Sequence, residues 1–370
     1  MIIKRLNLEN FRNYEKASFD LLDGTNIVYG ENAQGKTNLL EAVYYLASGK
    51  SFRGVRDRDL IRNNAEYAHI SAEIEAPELD YVVEATLSSQ KRRRLAINGV
   101  PLRTLSELSG RVSTVLFSPE DLYLIRDGAA VRRKFMDSAF SQLRPVYAQL
   151  ISKYNRLHNH KTRILRDWRE KPSLLDTLDS FNFQIADIGA LIIGYRARFL
   201  DKITTYATQI HREISGGREE LSLKYKTVST IKNPFDETEK IKNCILHHMK
   251  THRSAELSAR SALSGPHKDD IDIYINGKSA KTFASQGQTR TAALSLKMAE
   301  RELFLQDSGV NPILLLDDVL SELDDSRCDY VLNKISSGQV IITLCNGENY
   351  DFRNSRSFEI VDGKIKEKSI

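Results

Sequence analysis

The stretch Gly30 to Thr37, GENAQGKT, constrains this chain more than any other, because it matches G-x-x-x-x-G-K-[ST] at every fixed position. Before it, Thr25-Asn26-Ile27-Val28-Tyr29 reads as a buried strand. After it, Asn38 to Ala47 reads as a helix with apolar residues three and four apart. A chance Gly-containing turn would lack that strand and that helix. In this pattern Gly30, Glu31, Asn32, Ala33, Gln34 and Gly35 form a loop whose backbone N–H groups turn inward onto phosphate oxygens, at a helix end that carries partial positive charge. Lys36 would reach the β- and γ-phosphates, and the Thr37 hydroxyl would ligate Mg²⁺. The expectation is a nucleoside triphosphate site with ATP and Mg²⁺ as ligands.

The rest of the triphosphate chemistry needs a carboxylate at the end of an apolar strand. Ile313-Leu314-Leu315-Leu316-Asp317-Asp318 supplies one, with four large apolar residues suited to a strand covered on both faces. Asp317 is expected to hold the metal and Asp318 to orient or activate the attacking water, with Lys36 as their catalytic partner. Ser285-Gln286-Gly287-Gln288 stands before a helix expected over Thr289 to Leu305. A serine hydroxyl and a glycine amide at a helix start make a second phosphate-binding surface. One chain does not need two such surfaces for one triphosphate, so this one is expected to close on the nucleotide of another copy.

Between these halves the pattern changes twice. Up to about residue 130 the chain reads mainly as strands, including Ala68 to Glu75, Tyr81 to Ser88, Arg93 to Ile97 and Val112 to Phe117. From there to about 215, Leu143, Tyr147, Leu150, Tyr154, Leu157, Ile164 and Trp168 make one helical face, interrupted by Lys161. Leu174, Leu178, Phe181, Ile185, Ile188, Ile192, Tyr195, Phe199, Ile203, Tyr206 and Ile210 make another. The expected organisation is a strand-rich lobe at 1–130 carrying the loop, an inserted antiparallel helical arm at 131–217, and a second lobe at 218–370. A helix is expected over about Phe235 to Leu263, with the turn Ser264-Gly265-Pro266-His267 after it.

The series GENAQGKT, SQGQ, ILLLDD and Ser321-Glu322-Leu323-Asp324 resembles the Walker A, signature, Walker B and D-loop motifs of ABC-type ATPases. With KRLNLENFRNY at the N-terminus, SGPHKDD and LLLDDVLSELD, the likeness extends over nearly the whole chain to the RecF family, which is similar to the heads of SMC-type ATPases. It implies an α/β fold, an ABC-type P-loop ATPase head with a mixed-sheet lobe, a parallel-sheet lobe and an inserted antiparallel helical arm. It also implies an ATP-dependent homodimer that binds single-stranded and gapped duplex DNA, with weak DNA-stimulated ATPase activity. Its implied context is recombinational gap repair, DNA replication and the SOS response, alongside RecO, RecR and RecA. Carried over, Arg12 is a phosphate contact. Ser285, Gly287 and Gln288 act in trans, and Ser321 and Asp324 line the dimer seam.

Two departures bear on rate. The glutamate usual after the Walker B aspartate is here Asp318, one methylene shorter. No histidine follows the strand Val340 to Leu344, where Cys345-Asn346-Gly347 stands instead. Both point to slow hydrolysis, with ATP acting as a dimerisation switch. A transporter nucleotide-binding subunit shares the ATP motifs but leaves the arm and the missing histidine unexplained, and a small-molecule kinase leaves SQGQ unexplained.

The 370 residues are 41% hydrophobic and 28% charged, enough for a sizeable core. No run of 18 apolar residues occurs, no leader pattern is visible, and Cys244, Cys328 and Cys345 form no C-x-x-C pair, so a cytoplasmic protein with reduced thiols is expected. A net charge of +5 permits a polyanionic partner without requiring one. Basic clusters fall at Lys91-Arg92-Arg93-Arg94 with Arg103, at Arg132-Arg133-Lys134, and at His158 to Arg169, each able to meet phosphates. His248 and His252 are spaced for a metal pair but lack further ligands.

Overall fold

A computed structural model describes residues 1–335, 337–345 and 355–367, and divides the chain into two compact units. The first is made of Met1–Leu122 with Arg290–Ile370, and the second of Tyr123–Thr289.

In the first unit, alternation of buried and exposed residues along Ile2–Phe11, Tyr67–Glu75 and Tyr81–Ser88 gives an antiparallel sheet with one apolar face. Its six strands run in the order Tyr14–Asp20, Ile2–Phe11, Tyr67–Glu75, Tyr81–Ser88, Arg94–Ile97, Val100–Pro101. The second sheet is built from continuous apolar runs. Its order is Lys364–Glu367, Ser355–Val361, Thr25–Tyr29, Val340–Leu344, Ile313–Asp317, Thr114–Phe117, parallel except for the outermost strand. The helix Lys36–Ser48 buries ten of its thirteen residues. Its Leu39, Leu40, Val43 and Tyr45 join Leu6 and Phe19 of one sheet and Leu315, Ile341 and Phe358 of the other in a single core. The phosphate loop therefore stands between a buried strand and a buried helix, with its tip Glu31 to Ala33 exposed.

The expected boundaries are corrected here. Thr25–Tyr29 pairs with Val340–Leu344 on one side and Ser355–Val361 on the other, so N- and C-terminal segments make one sheet rather than two lobes.

The second unit holds more than the helices expected at 131–217. Helices Ala129–Leu143, Pro145–Asp167 and Leu178–Ile214 pack with Thr238–Thr251, Arg253–Ala259 and a three-stranded sheet of Leu221–Lys226, Asp270–Ile275 and Lys278–Ser279. The 37-residue helix Leu178–Ile214 buries the expected row (Leu178, Ile185, Ile188, Ile192, Phe199, Ile203) and also Ala186, Gly189, Ile193 and Ala197, because neighbours lie on two sides of it. The helix expected over Phe235 to Leu263 is broken at His252. Lys161 is fully buried, its Nζ 2.8 Å from the equally buried Glu256, so the gap in the apolar stripe is an internal ion pair.

The SGPHKDD turn acquires a role in this unit. Asp269 is buried and accepts from Arg196 at 2.7 Å, from Thr227 at 2.6 Å and from the Tyr225 hydroxyl. Arg196 also forks onto Asp137 and donates to the Pro266 carbonyl. His267 takes the Tyr154 hydroxyl on Nδ1 at 2.7 Å and faces the Ala262 carbonyl with Nε2. Burial, with His158 adding to it, pushes the His267 pKa down to about 3, so the ring is neutral. Replacing Arg196 by Met would leave Asp269 without its cation, and the unit should lose roughly 3–5 kcal/mol of stability in urea unfolding. An unchanged midpoint would show the knot to be dispensable.

Candidate functional site

The loop is shaped by the turn beneath it. Gly35 has φ 119, and a Cβ there would stand 2.6 Å from the Asn13 side chain, so only glycine fits. Asn13 donates to the Gln34 carbonyl at 2.6 Å and accepts from Asn38 at 2.9 Å, while the Tyr14 hydroxyl donates to the Gly35 carbonyl at 2.9 Å. The NFRNY turn thus staples both the loop and the start of its helix. Lys36 is buried along its stem, and its ammonium donates to the carbonyls of Gly30 and, at 2.9 Å, Glu31. It is held over the mouth of the loop.

Thr37 donates to Asp317 Oδ1 at 2.7 Å, and Thr343 donates to the same oxygen at 3.0 Å. Burial raises the Asp317 pKa, partly offset by those two hydroxyls. A buried carboxylate beside a hydroxyl oxygen is a donor set that fits Mg²⁺, which Thr37 and Asp317 would hold. Among the described residues no cluster of three His, Cys, Asp or Glu offers a rival metal site. His248 instead meets Ser264 at 2.6 Å and stacks on His252 at 3.9 Å between ring centres.

Asp318 sits in the left-handed region at φ 52, its N–H donating to Thr343 Oγ1 at 2.9 Å. The Cys345 thiol reaches Asn32 Oδ1 at 3.2 Å and Asp318 Oδ2 at 3.4 Å. Burial, then Asp318, pushes that thiol's pKa up, so it stays protonated and serves as a donor. Asn346 and Gly347 of the expected switch position lie outside the described residues. A cavity of about 840 Å³ opens over the loop, lined by Arg12, Asn13, Lys36, Thr37, Arg53 and Asp318 among others.

Arg12 lines that cavity, yet its guanidinium is already engaged: Nε and Nη2 fork onto Glu41 at 2.9 and 3.0 Å, and Nη1 donates to the Asp59 carbonyl at 2.9 Å. Glu41 is wholly buried and also receives the Ser51 hydroxyl. Sequence reasoning missed Glu41, Asn13, Asn38, Arg53 and Thr343. Two of these carried a signal: Glu41 is an acid inside the apolar run LLEAVYYL, and Thr343 is the one polar residue of VIITL.

The remaining expected residues lie elsewhere. Ser321 donates to the Asp318 carbonyl at 2.7 Å, and Asp324 caps the helix Asp325–Lys334 through the Arg327 N–H at 3.1 Å. Ser285, Gly287 and Gln288 belong to the other compact unit, at the start of the helix Gln286–Ser308, which begins earlier than expected. Ser285 Oγ accepts the Gln288 N–H at 3.2 Å, and Gln288 Oε1 accepts the Ser285 N–H at 2.9 Å, a capping box. Ser285 remains exposed.

A loop shaped for phosphates, whose Thr37 hydroxyl meets a buried carboxylate arriving from a strand two places along the parallel sheet, defines a P-loop ATPase head of ABC type. The family model described as the RecF/RecN/SMC N terminal domain matches residues 2–359. The chain is 40% identical over 370 residues to the DNA replication and repair protein RecF of Agathobacter rectalis, covering 99% of each. It is 38% identical to that of Clostridium botulinum, covering 99% of this chain and 100% of that one. A solved structure of the recombination mediator protein RecF with ATP, in the RecFOR pathway, superposes with a TM-score of 0.92 at 33% identity, covering 99% and 97% of the two chains. An Smc head domain from Pyrococcus yayanosii shares the fold alone, with a TM-score of 0.56 at 14% identity, over 100% of this chain and 97% of that one. The chain belongs to the RecF family.

No described helix is long and apolar enough to cross a membrane.

Proposed function

We propose that the chain is an ATP-dependent DNA-binding protein of recombinational gap repair, serving DNA replication and the SOS response, which helps RecA loading with RecO and RecR in the cytoplasm. ATP would occupy the Gly30–Thr37 loop of one copy and be closed by Ser285, Gly287 and Gln288 of a second, with Ser321 and Asp324 along the seam. The observation that supports this reading is the exposed Ser285 at a capped helix start, where a hydroxyl and a helix N-terminus could meet a phosphate that the Lys36 loop of another copy holds. Mg²⁺, held by Thr37 and Asp317, would neutralise charge on the β- and γ-phosphates.

Hydrolysis is expected to be slow. The Asp318 carboxylate is one methylene shorter than the usual glutamate and has one oxygen taken up by the Cys345 thiol, so it is poorly placed to reach a water. Binding energy then goes into dimer closure rather than turnover. Arg12, locked onto Glu41, would support the loop and present at most its outer edge to phosphate.

The test is binding to gapped, single-stranded and duplex DNA with and without ATP, with the oligomeric state followed by light scattering. ATP should convert monomer to dimer and tighten binding to gapped and single-stranded DNA, and Lys36→Arg should do neither. ATP-independent mass and affinity, or turnover at transporter-like rates, would sink the reading.

A further inference from the structure

We infer that the outer face of the helix Pro145–Asp167 is a track for the DNA phosphate backbone, with Lys153, Arg156 and Arg163 as its fixed cations. This rests on the DNA-binding reading above and says where on the second unit the polyanion lies.

Three basic clusters competed for this role on sequence grounds; in each the structure commits some members to internal partners, and it leaves Lys91 and Arg92 exposed as the rival surface that the experiment below compares. Arg93 is committed to Asp57 at 3.2 Å and to the Gly49 carbonyl at 2.6 Å. Arg132 forks onto Asp270 at 2.6 and 3.0 Å, and Arg133 donates to the Asp269 carbonyl. Within His158 to Arg169, Lys161 is buried on Glu256 and Arg166 pairs with Asp167 at 2.6 Å. What the helix leaves uncommitted is a row that the sequence cluster cut in half. Lys153, Arg156, His160 and Arg163 are all exposed. At 100° per residue they fall within about 80° of the helix circumference and over about 15 Å of its length. Lys153, Arg156 and Arg163 make no ion pair or hydrogen bond among the described residues, and His160 stacks on Phe181.

The spacing fits a phosphate backbone, since one strand of a duplex presents a charge every ~3.4 Å of axis. The row's chemistry also fits. From Ser152 to Arg163 every exposed residue is polar, and Ser152, Asn155 and Asn159 flank the row on one side as neutral hydrogen-bonding groups. An acidic protein partner would want an apolar centre to the patch, which is absent from this stretch. Lys153 and Arg156, three apart on one helix face, repel one another slightly, and an anion lying along the row would relieve that repulsion.

The experiment is DNA binding by the full chain with ATP across a salt series, comparing wild type with Lys153→Gln/Arg156→Gln/Arg163→Gln and with Lys91→Gln/Arg92→Gln on the exposed strand-connecting turn. The triple variant should lose at least tenfold in affinity near 0.15 M salt, uniformly across DNA sequences. Its log–log salt slope should become shallower by about 3, from the loss of three phosphate contacts. Melting temperature should not fall and ATP-induced dimerisation should not move, because the three side chains are exposed and make no ion pair or hydrogen bond among the described residues. A wild type that binds DNA, with a triple variant equal to it in affinity and slope, would overturn the track alone. So would a slope change confined to the Lys91/Arg92 variant. A wild type that ignores DNA at low salt would overturn both the track and the reading it rests on.

Discussion

Asp317→Asn is expected to leave the nucleotide-free chain at least as stable as wild type while lowering ATP hydrolysis by about 10²–10³-fold. The reason is the direction of the Asp317 pKa. Burial raises it above the value of about 3.9 that an aspartate has in an unfolded chain. The folded state therefore binds that proton more tightly than the unfolded state does. Its contribution to stability is fully present below pH 3.9 and falls as pH rises towards the raised folded value. At neutral pH the ionised carboxylate is a cost, which asparagine removes while still accepting from Thr37 and Thr343. With magnesium and nucleotide the balance reverses, because the cation needs the charge that asparagine lacks. Thermal melts should show wild type gaining about 2.7 kcal/mol of stability at a hundredfold excess of Mg-ATP over Kd, and the variant gaining much less. A variant that kept both the full Mg-ATP shift and wild-type phosphate release would remove Asp317 from the metal site.

The parts of this site legible in the sequence are those fixed by local rules. Gly30 to Thr37 is set by loop sterics and a helix start, and Asp317 by its place after four apolar residues. What stayed hidden was long-range pairing. The guanidinium of Arg12 was readable as a phosphate contact, but nothing within a few residues announces that Glu41, 29 positions away, takes it at 2.9 Å. Asn13 and Asn38 look like ordinary turn and helix-start residues until they are seen clasping one another and the loop. The compact units divide the chain elsewhere than the expected lobes for a related reason. Composition changes near 130 and 217 mark where helices begin and end, whereas units are decided by pairing, and Leu221–Lys226 pairs with Asp270–Ile275 inside the helical unit. The helical basic clusters are divided by the fold, because contiguous residues on a helix point in different directions. Arg132 points inward to Asp270, and Lys161 inward to Glu256. Lys153 and Arg156, outside the sequence cluster, share a face with Arg163 because they are separated by helical repeats rather than neighbours in the chain. Lys161 shows the same lesson from the other side: a break in an apolar stripe need not be a solvent-facing position when a carboxylate on another helix meets it.

Mixing two inactive variants, Lys36→Ala and Ser285→Arg, should restore ATP hydrolysis that neither shows alone. Lys36→Ala removes the ammonium that Gly30 and Glu31 hold over the loop, and a fully formed site should lose about 10²–10³-fold. Ser285→Arg places a long cation at an exposed helix start and removes the cap accepted from Gln288, at a local cost of about 1 kcal/mol that the fold can absorb. If each site takes its loop from one copy and its serine from the other, a mixed dimer holds one intact site and one doubly damaged one. Random assortment makes about half of the dimers mixed, so the mixture should recover about a quarter of the wild-type sites. If loop and serine act within one copy, no pairing of the two variants creates an intact site, and the mixture should hydrolyse no faster than the mean of its components. Circular dichroism of Ser285→Arg separates loss of helix from loss of closure. Ser285→Ala, smaller and neutral, should weaken closure less and complement Lys36→Ala in the same way. Recovery well above background would make the second copy part of the catalytic site, and activity pinned at the mean would confine the chemistry to one chain.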